Sequence, residues 1–166
     1  MTAAPLIDPR RYRDAIGRFA TGVTVVTWDT GSVRRGMTAN AVASVSLEPT
    51  LLLVCVDRHG AAHTQLGTVD VFAVNVLAEE QLDVSRGFAR PGVDGMLGVP
   101  HRPGASGAPI LRDAVAWLEC AVHERIEGGD HTIYIGRVLA VDVQRPEAAP
   151  LLFYAGAYRR LGPPIE

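Results

Sequence analysis

Two short, unbroken apolar runs constrain this fold most: residues 51–56 (LLLVCV) and residues 71–77 (VFAVNVL). Each is short enough to be a strand covered on both faces rather than a core helix. Other strand candidates surround them. Residues 23–28 are rich in β-branched side chains and lead into Asp29-Thr30-Gly31-Ser32, which supplies turn chemistry. Residues 117–126 and 132–143 are long candidate strands joined by Glu127-Gly128-Gly129-Asp130, and residues 151–154 and 157–160 form a last pair around Gly156. Helices are few. Asp8-Pro9 reads as an N-cap followed by proline at the first helical position, and Tyr12, Ala15, Ile16 and Phe19 follow at helical spacing. That helix is expected to end near Gly22 and to pack its apolar face on a sheet. A turn or short helix at 58–66 and a second helix at 78–86 complete the pattern. Many strands, close hairpins and few helices point to a mostly antiparallel β-barrel with helical additions.

The 166 residues, 48% of them hydrophobic, fit one domain with a proper core. A formal charge of −2 gives none of the basic excess that binding to a phosphate backbone uses, so nucleic acid is not an expected partner. The N-terminus shows no charged segment leading into an apolar one, and no stretch approaches bilayer-spanning length. A soluble, cytoplasmic protein without membrane contact is therefore expected. Cys55 and Cys120 both sit in apolar strand contexts and read as buried, inert thiols.

The stretch 36–56, GMTANAVASVSLEPTLLLVCV, carries the clearest functional signal. Thr38, Asn40, Ser44 and Ser46 offer short donors and acceptors, while Ala39, Ala41 and Ala43 leave room for a large group to approach the backbone. The chain lacks GxGxxG, a phosphate-binding P-loop, HExxH and GxSxG, so a nucleotide-like cofactor would have to be held by scattered loop groups. His59 and His63 lie four apart, but no neighbouring Cys, Asp or Glu completes a metal site, and none is expected. His63 or Thr64 instead suits an anionic group near the start of the short helix. Asn75, inside an apolar strand, requires hydrogen-bond partners, since an unpaired buried amide costs about 1–3 kcal/mol. Those partners belong either to a structural network, the favoured reading, or to a ligand. Glu79, Glu80 and Asp83 read as a solvated helical face with no catalytic carboxylate pair, and the glycine- and proline-rich segment 90–108 reads as a lid, a partner-contacting arm or a surface excursion.

The segments YRDAIGRFATGVTVVT, GMTANAVASVSLEP, LLLVCVDR, FAVNVLAEEQ, GDHTIYIGRV and PLLFYAGAYRRL also resemble, in order, the short-chain flavin reductases that serve two-component flavin-dependent monooxygenases. The resemblance implies an FMN-binding split β-barrel (a Greek-key antiparallel barrel), a homodimer, FMN or FAD as flavin and NADH or NADPH as hydride donor. Transferred onto this sequence, it assigns flavin contact to Met37, Thr38, Ala39, Asn40, Ala41, Ser44, Val45, Ser46, Cys55, Val56 and Asp57. It adds His63, Thr64, Arg86, Phe88 and Asp130 around the same cofactor, although Arg86 reads equally as a helix C-terminal cation; Asn75, Tyr158 and, in a partner subunit, Trp117 are further candidate cofactor contacts read from their own positions, where strand aromatics are more often core or interface. His131, in the GDH motif, is the catalytic candidate, expected to orient the nicotinamide carboxamide. The implied function is NAD(P)H-dependent flavin reduction for a partner monooxygenase. A non-catalytic flavin-binding module and a protein with tightly held FMN serving another acceptor are the alternatives.

Overall fold

The computed structural model describes residues 7–90 and 95–165. The opening helix α1 (Pro9–Ile16) starts on Asp8, whose carboxylate accepts from the Arg10 N–H at 2.9 Å. It ends at Ile16, not near Gly22, and the chain turns at once into β1 (Thr21–Gly22). None of its residues is buried, and Tyr12, Ile16 and Phe19 stand largely in solvent, so its apolar stripe meets no sheet of this chain. Helical spacing identifies an apolar face but not what covers it.

Seven strands form one antiparallel sheet. They are β2 (Thr24–Asp29), β3 (Arg34–Ala39), β4 (Val42–Leu47), β5 (Thr50–Asp57), β6 (Val71–Val76), β9 (Ala116–Gly128) and β10 (His131–Val143). Their order is β3-β2-β6-β9-β10-β5-β4. The two edge strands β3 and β4 are consecutive in sequence, joined only by Asn40 and Ala41. Three Cα steps span at most about 11 Å, so the sheet must curl until its edges meet. The result fits a split barrel, in which Ala41 C=O accepts from the Cys55 N–H at 3.0 Å while β3 and β4 share no ladder.

Inside, Val26, Trp28, Leu52, Val54, Val56, Phe72, Val74, Cys120 and Tyr134 form the main core, and Leu66 of α2 (Ala61–Leu66) packs with them. Strict alternation places Leu51, Leu53, Cys55 and Asp57 on the outer face of β5. A second core forms where β2 and β6 are covered from outside by α3 (Leu82–Phe88), by Met96 and by the hairpin of β7 (His101–Pro103) and β8 (Pro109–Leu111). The region read as the second helix divides into a 3₁₀ turn, Glu79–Gln81, and α3. Within the 90–108 segment, β7 is ordered, while residues 91–94 lie outside the described ones. Finally, β11 (Leu152–Tyr154) and β12 (Ala157–Arg159) make a tight hairpin that pairs with β1. Its two turn residues, Ala155 and Gly156, both have positive φ, the geometry that matches strand twist in two-residue hairpins.

Candidate flavin site

Two openings meet at Asn40. A groove of about 250 Å³ is lined by Phe19, Thr21, Asn40, Ala41, Val42, Ala43, Leu53 and Cys55. Behind it, a cavity of about 150 Å³ is lined by Val23, Thr38, Asn40, Phe153 and Tyr158. The joint between β3 and β4 therefore forms a wall of both. Asn40 is exposed and donates from Nδ2 to Thr21 Oγ1 at 3.3 Å, which leaves its carbonyl oxygen turned to neither backbone nor side chain. Thr38 Oγ1 donates to the Ser85 carbonyl at 2.6 Å, and Ser85 Oγ meets Tyr158 Oη at 2.9 Å, so α3 and the C-terminal hairpin fix the cavity walls. The Tyr158 ring stands edge-on to Phe153, centroids 5.4 Å apart.

A polar rim lies two residues beyond Cys55 on the same face of β5. Asp57 and His131 are direct partners across the β5–β10 ladder. His131 Nδ1 lies 2.7 Å from Asp130 Oδ1, and because a carboxylate can only accept, Nδ1 carries the proton and Nε2 points away from the pair. The His131 ring bond is the main cause holding the Asp130 carboxyl below the usual carboxylate range. Asp57 is lowered as well, chiefly by the His59 backbone N–H and then by the His59 ring. His63 Nε2 meets Thr132 Oγ1 at 2.9 Å, so His59 and His63 turn to different partners. Among the described residues no three His, Cys, Asp or Glu groups converge as metal ligands.

Several residues assigned to the flavin do not line either opening. Asn75 is fully buried and its amide is spent within the fold: Nδ2 donates to Val25 C=O and Thr27 Oγ1, both at 3.0 Å, and Oδ1 accepts from the Leu111 N–H at 2.9 Å. It is the structural network that its position demanded, not a ligand contact. Phe88 is core, its ring packed so closely on Gly36 and Gly95 that neither has room for a Cβ. The side chains of Val56 and Ala39 are buried in the barrel, and Met37 packs against them. Trp117 is buried beneath Arg102, whose guanidinium lies 5.1 Å from the ring centroid, so it presents no surface to a cofactor edge. Ser44, Val45 and Ser46 follow the groove along edge strand β4, where a bulge at Val45 turns the strand. Thr64 is exposed on α2, and Arg86 is exposed on α3 beside Asp83 at 3.6 Å. Phe19, Thr21, Val42, Leu53 and Phe153 line the openings without having been singled out. Leu53 was legible, since it shares a strand face with Cys55; Phe19 was hidden by its helical spacing from Ile16.

The residues suit a flavin. An amide that both donates and accepts can match the imide edge of an isoalloxazine, alanines leave space for a flat ring, and no carboxylate lines either opening.

Residues 16–162 match the family described as "Flavin reductase like domain". The chain belongs to this family. A structure of a Streptomyces globisporus NADH:FAD oxidoreductase in complex with NAD and FAD fragments superposes with a TM-score of 0.89 at 44% identity, covering 98% of this chain and 100% of that one. A probable flavin reductase of Rhizobium meliloti is 49% identical over 84% of the chain, which spans 45% of that protein's length. The reductase subunit HsaB of a Rhodococcus jostii flavin-dependent monooxygenase is 37% identical over 97% of the chain and 82% of its own length. No helix among the described residues of this flavin reductase domain is long and apolar enough to cross a membrane.

Proposed function

We infer that this chain is an NAD(P)H:flavin oxidoreductase that reduces FMN or FAD and supplies the reduced flavin to a partner monooxygenase. The observation that carries the reading is Asn40, standing where the groove and the cavity meet at the joint between β3 and β4. Asn40, Thr21 and Tyr158 hold the flavin edge, Ala41, Ala43, Leu53 and Cys55 form the floor beneath the ring, and Phe19 closes one side. The nicotinamide and the flavin supply the hydride chemistry between them when both are bound. The chain's contribution is alignment and exclusion of water, which agrees with openings lined by no carboxylate and no histidine. His131, its Nδ1 proton held by Asp130, presents Nε2 at the rim and orients the nicotinamide amide there. Neutral, short contacts suit a flavin that must be given up to another enzyme.

A homodimer belongs to this reading. Tyr12, Ile16 and Phe19 of the opening segment, together with Leu139, Val141 and Val143 on β10, expose apolar side chains of the kind that mark protein contacts.

Oxidation of NADH and NADPH by purified protein, with FMN, with FAD and without flavin, tests the reading. Turnover that saturates with added flavin supports a diffusible-flavin reductase. Flavin binding without turnover leaves a binding module, and turnover by yellow protein without added flavin points to a resident cofactor.

A further inference from the structure

His131 stands where the main sheet has thinned to a ribbon. β6 pairs with β9 only as far as Val71 opposite Ala121, so beyond Val122 the end of the β9–β10 hairpin has no strand on its β9 side. A two-stranded ribbon on its own is marginally stable in water. On that side the Arg125 guanidinium, which donates to the Val69 carbonyl at 2.9 Å, ties it to the barrel. On the opposite side β5 accompanies β10 down to Asp57, the partner of His131, and ends there.

The segment between β5 and α2 then takes over. Asp57 Oδ1 accepts from the His59 N–H at 2.9 Å, Asp57 C=O from the Gly60 N–H at 3.3 Å, and Gly60 C=O from the His63 N–H at 3.1 Å. From this braced turn two groups reach the residues on either side of His131. The Arg58 N–H donates to the Asp130 carbonyl at 3.0 Å, and His63 Nε2 lies 2.9 Å from the Thr132 hydroxyl. Thr132 is buried, so its hydroxyl depends on a partner inside the fold. His63 lines neither flavin opening. Neighbours in a strand point to opposite faces, so a Thr132 pinned inward fixes how His131 faces outward.

We propose that His63 is a positioning residue for flavin reduction: through Thr132 it sets the direction in which His131 presents Nε2, and so governs use of the nicotinamide without touching nicotinamide or flavin. This rests on the reading of His131 given above.

Steady-state kinetics of the full chain test it, with NADH or NADPH, whichever the wild type oxidises, and with the flavin it turns over faster. His63→Ala and Thr132→Val should each lower kcat/KM for the nicotinamide about threefold to tenfold, while flavin Kd from fluorescence titration stays within about twofold of wild type. His63→Gln, whose amide keeps a donor and an acceptor for the Thr132 hydroxyl, should restore most of the loss. The deciding comparison is His63→Ala in a His131→Ala background, where loss of His63 should cost nothing more. Thr132→Val in the same background repeats the comparison without touching α2, and decides it even where His63→Ala unfolds. An equal loss with and without His131, a weakened flavin in place of a poorer nicotinamide, or no recovery in His63→Gln would each overturn the proposal. Wild-type nicotinamide kinetics in His131→Ala alone would instead overturn the reading of His131, and the proposal with it.

Discussion

Ser85 and Tyr158, 73 residues apart, join the back of the candidate flavin cavity through their hydroxyls at 2.9 Å. Ser85 is fully buried, so its hydroxyl has no solvent to turn to if the tyrosine loses its own. Tyr158→Phe should therefore cost about 1–3 kcal/mol in denaturant unfolding and weaken flavin binding. Ser85→Ala in the Tyr158→Phe background should add little, because no orphan hydroxyl remains. Fully additive losses would show that the two hydroxyls act independently.

Asn40 and Asn75 should behave oppositely. Asn40→Ala, at an exposed site, should leave unfolding within about 0.5 kcal/mol of wild type while weakening flavin in a fluorescence titration. Asn75→Ala should lose about 2–4 kcal/mol, since it strands the Leu111 N–H in the interior and takes a donor from both Val25 C=O and Thr27 Oγ1, the latter keeping only its own bond to the Pro109 carbonyl. The protein that remains folded should bind flavin normally.

The Asp130–His131 pair should leave its mark at acid pH. A carboxyl held below its ordinary value stabilises the folded state above the unfolded pKa near 3.9, and that contribution is lost as pH falls through the lower folded value. Asp130→Asn should differ from wild type at neutral pH, in stability and in the Michaelis constant for the nicotinamide, and the stability difference should begin to shrink below about pH 4 and vanish once pH has passed below the folded value. A stability gap that persists in acid would mean that the ion pair is not its source.

Gly136 lies where β10 passes the Phe72 ring, and a Cβ there would also press on Cys120. Gly136→Ala should therefore lower stability by about 1–3 kcal/mol through overpacking, read as a shift in denaturant midpoint at unchanged slope.

The two thiols should separate cleanly. Burial, and then the neighbouring Glu119 carboxylate, push Cys120 up to about 12, whereas Cys55 is raised by burial alone and is only half-buried in the groove floor. At pH 8 a thiol reagent should modify Cys55 slowly and Cys120 only after unfolding, as peptide mapping would show. Bound flavin should protect Cys55.

Much of this was legible in the sequence because strand patterns are local. The continuous run 71–77 marked a strand covered on both faces, whereas the outer face of 51–56 is only half-buried, because Leu53 and Cys55 line the groove; the hairpins were announced by Gly129 and by Gly156, both at positive φ. The small polar stretch from Gly36 was read as a loop, but its residues belong to β3 and β4, and only Asn40 and Ala41 join them. What escaped depends on distant segments. Asn75 is explained by Thr27 and Leu111, which no local window contains. Phe88 looks like a ring beside a cofactor until Gly36 and Gly95 are seen to receive it. The helix was read too long because Phe19 keeps helical spacing past Ile16, while the chain has already turned to meet Ala155, whose N–H donates to Gly17 C=O at 2.8 Å.

The Asn40-Ala41 joint carries one further consequence. A molecule seated against it touches both free margins of the β-sheet at once, so occupancy and closure share the same few atoms. Amide hydrogen exchange along β3 and β4 should slow when flavin is present, ahead of any change in the long β9–β10 ribbon, and a residue inserted between Asn40 and Ala41 should loosen the sheet and the ligand together.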